Sequence, residues 1–221
     1  VPADSPRRRQ QGVYDARIFG PPGRRVQVIL LDTRYFRSPL KMLAHRVPGG
    51  GRYRANRDAG ATLLGSNQWA WLERQLKQPA EVRLLVTSIQ LVAQDHDWEH
   101  WMNFPNERAR LFALIRETGA HGVVALSGDR HHAELSRLNG GIGYPLYDLT
   151  ASGLNMARGG RVEEPNRHRV GRLYPQNHFG LVRIDWEAAD PVVTLEIRNL
   201  DGKPVIEESV PLSRLQPADP K

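Results

Sequence analysis

The stretch Ser127-Gly128-Asp129-Arg130-His131-His132 follows directly on an apolar run, Val123 to Ser127. Such a run reads as a buried strand. In open α/β sheets, ligands bind beyond the carboxyl ends of strands. Asp129 and His131 lie two residues apart on the expected turn, so both can aim at one point. A carboxylate oxygen and an imidazole nitrogen suit manganese, iron, zinc or a mixed pair of ions. Gly128 is expected to let the backbone turn tightly. The spacing equally accommodates a simpler arrangement, with Asp129 capping a turn and His131 and His132 facing solvent.

A second cluster, Asp95-His96-Asp97-Trp98-Glu99-His100-Trp101, continues through Phe104-Pro105-Asn106-Glu107-Arg108. It follows another apolar run, Val82 to Ile89. Its acids and histidines could ligate a metal, but a loop packed by its own tryptophans explains them as well. We expect this loop to flank the Asp129 turn as a pocket wall. Trp98 would hold an apolar group there, and Arg108 would offer paired donors to oxygen acceptors. Asp32, before Thr33 and Arg34, is read as a structural carboxylate that fixes the following loop. Asn155, Asn166, Asn177 and His178 carry little signal alone. There is no Gly-x-Ser-x-Gly elbow, no P-loop and no Gly-x-Gly-x-x-Gly.

The elements that must position these residues follow from periodicity. Val26 to Asp32 reads as a strand buried on both faces. Ser38 to Ala61, with Pro39, Pro48 and three successive glycines, is a long surface excursion. A helix is expected over Ser66 to Leu76, burying Trp69, Leu72 and Leu76. Another runs from a cap at Asn106 to Thr118, with Leu111, Leu114 and Ile115 inward and Gly119 as its stop. Val82 to Ser127 is therefore a strand–loop–helix–strand unit joining parallel strands. Leu181 to Trp186, Val192 to Asn199 and Lys203 to Val210 alternate apolar with polar, and Asp201-Gly202 signals a hairpin. We expect these strands to extend the same sheet.

Composition narrows the function classes. The 221 residues carry 40% hydrophobic and 25% charged residues, which fits a globular chain. There is no cysteine, which excludes disulfides, thiolate metal sites and a cysteine nucleophile. No apolar run approaches the ~20 residues of a membrane-spanning helix. The formal net charge is +7, and all but four of the 31 basic residues (Lys41, Lys77, Lys203 and Lys221) are arginine. These arginines are scattered among carboxylates, so we expect a locally paired surface and no specific nucleic-acid partner. The start, Val1-Pro2-Ala3-Asp4-Ser5-Pro6-Arg7-Arg8-Arg9-Gln10, lacks an initiator Met and a signal-peptide core. It reads as the interior of a longer chain.

Taken in order, several segments resemble the PhoD-like alkaline phosphatase/phosphodiesterase family of metallophosphoesterases. They are Leu31-Asp32-Thr33-Arg34 with Arg37; Leu64-Gly65 with Gln68, Trp71 and Leu72; and Trp98 followed by Phe104, Glu107 and Arg108. Further along come Ser127-Gly128-Asp129 with His131, Ser152-Gly153-Leu154, and Asn177 with Phe179-Gly180-Leu181. The resemblance runs from about Gly12 to the C-terminus. It implies a calcineurin-like α/β fold, a two-sheet sandwich of which this chain holds a part, ending in antiparallel strands. It also divides the chain into a flexible segment 1–11, a phosphatase portion 12–216 and a tail 217–221.

By the same resemblance, Asp129 and His131 become metal ligands and Trp98, Arg108 and His132 line the substrate site; no catalytic residue is assigned. Ser88 and Gln90 become candidates for supporting the ligands. The implied cofactor is a dinuclear centre, iron and calcium first, with manganese or zinc as alternatives. The implied reaction is phosphoester hydrolysis by a metal-bound hydroxide, in the periplasm or outside the cell. By the resemblance, the family's other metal ligands lie upstream, in a further Gly-Asp motif and an Asp-Asp-His-Glu-like motif that this sequence does not contain, so the chain is expected to need an N-terminal half of the same domain. The other readings are a catalytically incomplete binding module on the same half-fold and an arginine-rich nucleic-acid binder.

Overall fold

A computed structural model describes residues 2–45, 50–160 and 164–217. Strands β1 (Asp15–Phe19) and β2 (Val26–Leu30) come first, then the two-residue strands β3 (Lys41–Met42) and β4 (Tyr53–Arg54) within the long excursion. Helix α1 (Gly65–Leu76) leads to β5 (Val82–Val86), and α2 (Pro105–Glu117) to β6 (Val123–Ser127). Then follow β7 (Ala133–Leu138), β8 (Leu146–Ala151), β9 (Arg169–Tyr174), β10 (His178–Asp185), β11 (Val192–Asn199) and β12 (Pro204–Pro211). The fold is mixed α/β. Its main sheet has the order β1-β2-β5-β6-β8-β7-β9, with β2, β5, β6 and β8 mutually parallel at its centre.

The expected crossover is present: β5 and β6 are adjacent and parallel, joined through α2. α1 buries Trp69, Leu72 and Leu76, as its spacing requires. In α2, Leu111 and Ile115 are buried with Phe112, while Leu114 is half-buried. Asn106 is not the cap. Phe104 holds that position and Pro105 opens the helix, where its missing N–H costs nothing. Gly119 stops the helix with φ +64°.

Two expectations about the sheets fail. β10, β11 and β12 do not extend the main sheet but form their own antiparallel sheet. It approaches the main sheet at Gly180, where an added Cβ would lie 3.0 Å from the Ala151 Cβ. Nor is β2 buried on both faces. Gln27 and Ile29 are buried on one face, while Val26 and Val28 on the other are half-exposed and Leu30 is 41% exposed. The parallel register carries that second face across Leu84 and Val86 of β5 to Leu126 of β6, all only half-buried. Leu84, Val86, Leu126, Leu149, Leu181 and Val182 line a cleft of about 710 Å³ that ends at Gly128 and Asp129.

The excursion over Ser38 to Ala61 is tied down along its described residues. The backbone N–H groups of Arg52 and Tyr53 both donate to the Asp97 carbonyl, and that of Asn56 donates to Asn103. Its end is fixed by Glu107 of α2. One carboxylate oxygen accepts from the Thr62 hydroxyl, from the Leu63 and Leu64 amides, and from the Trp69 indole at 2.9 Å. Truncating Glu107 leaves several buried donors unsatisfied at ~1–3 kcal/mol each. Glu107→Ala should therefore lower Tm by about 6–12 °C. A thermal melt that moves by less than about 2 °C would refute the anchoring role.

Candidate functional site

The turn after β6 is where the chain departs furthest from ordinary backbone. Asp129 (φ +69°) and His131 (φ +56°) are the two non-glycine residues with positive φ among the described residues. Asp and His tolerate this region better than most side chains, yet holding two of them there needs support. Gly128 is not the special position; its φ is not positive, and a Cβ there would meet only ordinary contacts.

The support comes from Ser152-Gly153, just past β8. The Ser152 hydroxyl accepts from the Arg130 amide at 3.0 Å and from the His131 amide at 2.9 Å. The His131 carbonyl accepts from the Arg158 amide at 2.7 Å. The Arg130 side chain pairs with Glu164 and lies over the Trp98 ring at 5.2 Å. Arg158 reaches the same carboxylate at 2.7 Å and the same ring at 5.3 Å. Trp98 is thus brought against the turn through Arg130 and Arg158.

Asp129 is partly exposed and accepts from Arg34 at 3.3 Å. Arg34 and Arg37 each donate to Glu99 at 2.5 Å, so the 95–108 loop also meets the turn through charge. His131 is exposed. Asp32 has the structural role expected of it. It accepts from the amides of Val13, Arg34 and Tyr35, all at 2.8–2.9 Å. Burial opposes its ionisation, but these three donors outweigh it and hold its carboxyl below the usual range.

Two expected substrate residues face inward instead. Arg108 is buried and donates to the Leu91 carbonyl at 2.8 Å and the Val92 carbonyl at 3.2 Å, with its guanidinium over Phe112. Its donors hold the loop and are turned away from the Asp129 turn. The position on α2 dictates this, because it shares the buried stripe with Leu111, Phe112 and Ile115. His132 is fully buried, with neither ring nitrogen hydrogen-bonded. His131, in the left-handed turn, is exposed, whereas His132 immediately precedes β7 and is buried with it.

Beneath the turn lies a buried polar layer that periodicity did not reveal. Asp148, wholly buried, accepts from the Ser127 hydroxyl at 2.7 Å and from the amides of Leu91 at 2.8 Å and Val92 at 3.0 Å. Gln90 donates to Glu134 at 2.6 Å and to Thr150 at 3.0 Å. His96 bonds Gln90 at 2.9 Å and His100 at 3.1 Å. Of the two supporting candidates, Gln90 joins this layer, whereas Ser88 bonds Thr33 at 2.5 Å. Burial pushes the Glu134 carboxyl up, but His132 and Arg169 outweigh it and hold it at about 2. Burial also pushes both His96 and His100 down to about 3, helped by Arg130 for His96 and by His96 for His100.

The site therefore offers one oxygen and one nitrogen donor on a clamped turn, with an aromatic wall and several arginines alongside. Among the described residues, no three His, Asp or Glu side chains converge to hold a metal ion. The donor chemistry fits a cation, but two donors do not complete a dinuclear centre. No helix among the described residues is long and apolar enough to cross a membrane. Among the described residues, several surface arginines are paired with carboxylates, among them Arg34 with Glu99 and Arg167 with Asp95.

Comparisons with known proteins point to a family and a fold. The model of the PhoD-like phosphatase family matches residues 3–158. That span holds the turn, the Trp98 loop and Ser152-Gly153. A solved structure described as "Structure of PhoD" superposes with a TM-score of 0.61 at 18% identity. The match covers 89% of this chain and 40% of that one, so the chain spans well under half the length of that relative. A search of the curated proteins gives no match.

The neutral His96–His100 pair sets an acid limit. Both rings bind protons near pH 6.5 when unfolded but only near pH 3 when folded, so the unfolded state binds more protons across that window. Stability is then full above about pH 6.5 and falls as pH drops towards 3, by up to ~1.4 kcal/mol per pH unit for each ring. Glu134 adds to the fall below about 4.5, by the same logic applied to a depressed carboxyl. Urea unfolding at pH 7.5, 6, 5 and 4 should show a decline that begins above the carboxylate range. A flat profile between pH 6.5 and 5 would contradict the buried neutral pair.

Proposed function

Because the chain belongs to the PhoD-like phosphatase family, we propose that it supplies Asp129 and His131 to a metal-assisted, phosphoester-hydrolysing centre. The observation that carries this reading is the Asp129–His131 turn. It places two potential ligands in left-handed backbone at the carboxyl end of β6, and Ser152 holds them there. A divalent pair, iron and calcium first, would supply the charge that an in-line displacement at phosphorus develops. This chain's own residues do the positioning. Trp98 forms a wall for the leaving group, backed by Arg130 and Arg158. Arg34, already within reach of Asp129, is the guanidinium best placed to approach a phosphoryl oxygen. Arg108 and His132 act from beneath the surface.

In this reading the remaining ligands come from another part of a longer polypeptide. The half-exposed face formed by Val28, Leu84, Val86 and Leu126 supports a two-sheet, calcineurin-like sandwich in which that part covers the apolar cleft beside Asp129. The 40% coverage of the solved relative leaves room for it. Periplasmic or extracellular placement follows from the family resemblance alone. That no three donors converge among the described residues favours the second reading, a catalytically incomplete binding module.

Turnover separates the two. The 221-residue chain and a version extended upstream to the relative's length are assayed on an aryl phosphate and an aryl phosphodiester. Iron, manganese and calcium are added singly and in pairs. The extended protein should turn over only with metal, and the short chain should be near background. In the extended protein, Asp129→Asn or His131→Ala should cut kcat/KM by about a hundredfold or more, ~2.7 kcal/mol, with Tm unchanged. Robust turnover by the short chain would show that its donors suffice. Silence from the extended protein with every metal would favour the binding module.

A further inference from the structure

His178 begins β10, beyond the span that the family model matches. Its ring is fully buried. Nε2 accepts two backbone N–H groups, those of Ser152 and Gly153, each at 3.1 Å. An imidazole nitrogen that accepts must be unprotonated, so the ring proton sits on Nδ1. There it donates to the Gln176 carbonyl at 2.7 Å, which fixes the tautomer. The backbone repeats the grip, since the His178 amide donates to the Gly153 carbonyl at 3.2 Å. Gly153 is required for this approach, because a Cβ there would fall 2.4 Å from His178 Cε1.

The far side of the same short segment holds the turn. Ser152, whose amide His178 receives, turns its hydroxyl to the amides of Arg130 and His131. We propose that His178 is the positioning residue of the site: through Ser152 and Gly153 it holds the left-handed turn that presents Asp129 and His131. The assignment of a function to that turn rests on the phosphatase reading; the mechanical link does not. The proposal also gives the three-stranded sheet a task, since β10 anchors the turn from outside the main sheet. Burial, with a further contribution from His132, keeps the His178 ring below the usual imidazole range, which favours the accepting, neutral form.

The experiment is amide hydrogen exchange on the 221-residue chain without metal or substrate, comparing wild type, His178→Leu and His178→Gln. A glutamine carbonyl can stand near the Nε2 position, whereas leucine offers no acceptor. In His178→Leu, the amides of Ser152, Gly153, Arg130 and His131 should exchange at least about tenfold faster, with β5 and β11 unchanged. His178→Gln should restore much of the protection. Acceleration limited to Ser152 and Gly153, or equal protection in leucine and glutamine variants, would overturn the proposal. Where neither variant folds, ring ¹⁵N shifts of the wild type decide: an accepting Nε2 supports the link and an Nε2–H tautomer sinks it. None of these readouts depends on turnover, so a failed phosphatase assay and a failed positioning assay are separate results.

Discussion

A carboxylate that never meets water organises the carboxyl end of the central parallel strands. Asp148, in the middle of β8, is fully buried and has to be satisfied by donors brought to it. Those donors are the Ser127 hydroxyl at the end of β6 and the amides of Leu91 and Val92 beyond β5. One side chain thereby fixes where two strands end relative to each other. Burial raises its pKa, and the three donors work against that rise. Losing any donor would leave a costly group uncompensated in a low-dielectric layer. The rest of the layer extends the same logic, because Gln90 ties Glu134, Thr150 and His96 together. The loop that carries Trp98 and Glu99 is thus set against the turn by buried hydrogen bonds, with the apolar core beneath α1 and α2 supplying the bulk of the burial.

That polar layer is also why much of the sheet was illegible in the sequence. β7 reads Ala-Glu-Leu-Ser-Arg-Leu and β8 reads Leu-Tyr-Asp-Leu-Thr-Ala. Both alternate, but the polar positions Glu134, Ser136, Asp148 and Thr150 lie in the interior. A rule that sends polar residues to solvent inverts such strands. β2, β5 and β6 carry apolar residues at nearly every position and were recognisable, as were α1 and α2. The same apolar richness misled on one point. It implied cover on both faces of β2, whereas the helices cover one and the small sheet reaches only the β8 end of the other. The three C-terminal strands were legible as antiparallel, but alternation carries no information about which sheet a hairpin joins.

The site was legible where function depends on chemical type and illegible where it depends on direction. Asp129 and His131 stood out because a carboxylate and an imidazole follow a strand, and they are the two non-glycine residues with positive φ among the described residues. Trp98 lies near that turn, against Arg130 and Arg158. Arg108 and His132 were chosen for their chemistry, yet helix phase buries Arg108 and His132 is buried just before β7. His178 carried little signal alone, although its neighbours Asn177 and Phe179-Gly180-Leu181 belong to the resemblance. Its meaning comes from Ser152, 26 residues earlier, and no spacing rule connects a buried acceptor to two amides that distant. The nearest trace in the sequence is Gly153, whose missing side chain makes the room.

Charge balance around the turn gives the last constraint. Arg34 and Arg37 both donate at 2.5 Å to Glu99, while the Arg34 contact with Asp129 is longer, 3.3 Å. Glu99 is therefore the preferred partner, and among the described residues Arg34 is the side chain that donates to Asp129. On the other side, Arg130 and Arg158 share Glu164. Each carboxylate of these two groups serves two guanidiniums apart from Asp129, so the surroundings of the turn are neutral to slightly positive before anything binds. A cation held at Asp129 and His131 would make the pocket strongly positive unless an anion entered with it. A phosphoester meets that requirement, and so would further carboxylates from a covering segment. The arrangement is consequently poor as a standing cation trap and better suited to a site completed by an anionic substrate or by ligands delivered from elsewhere.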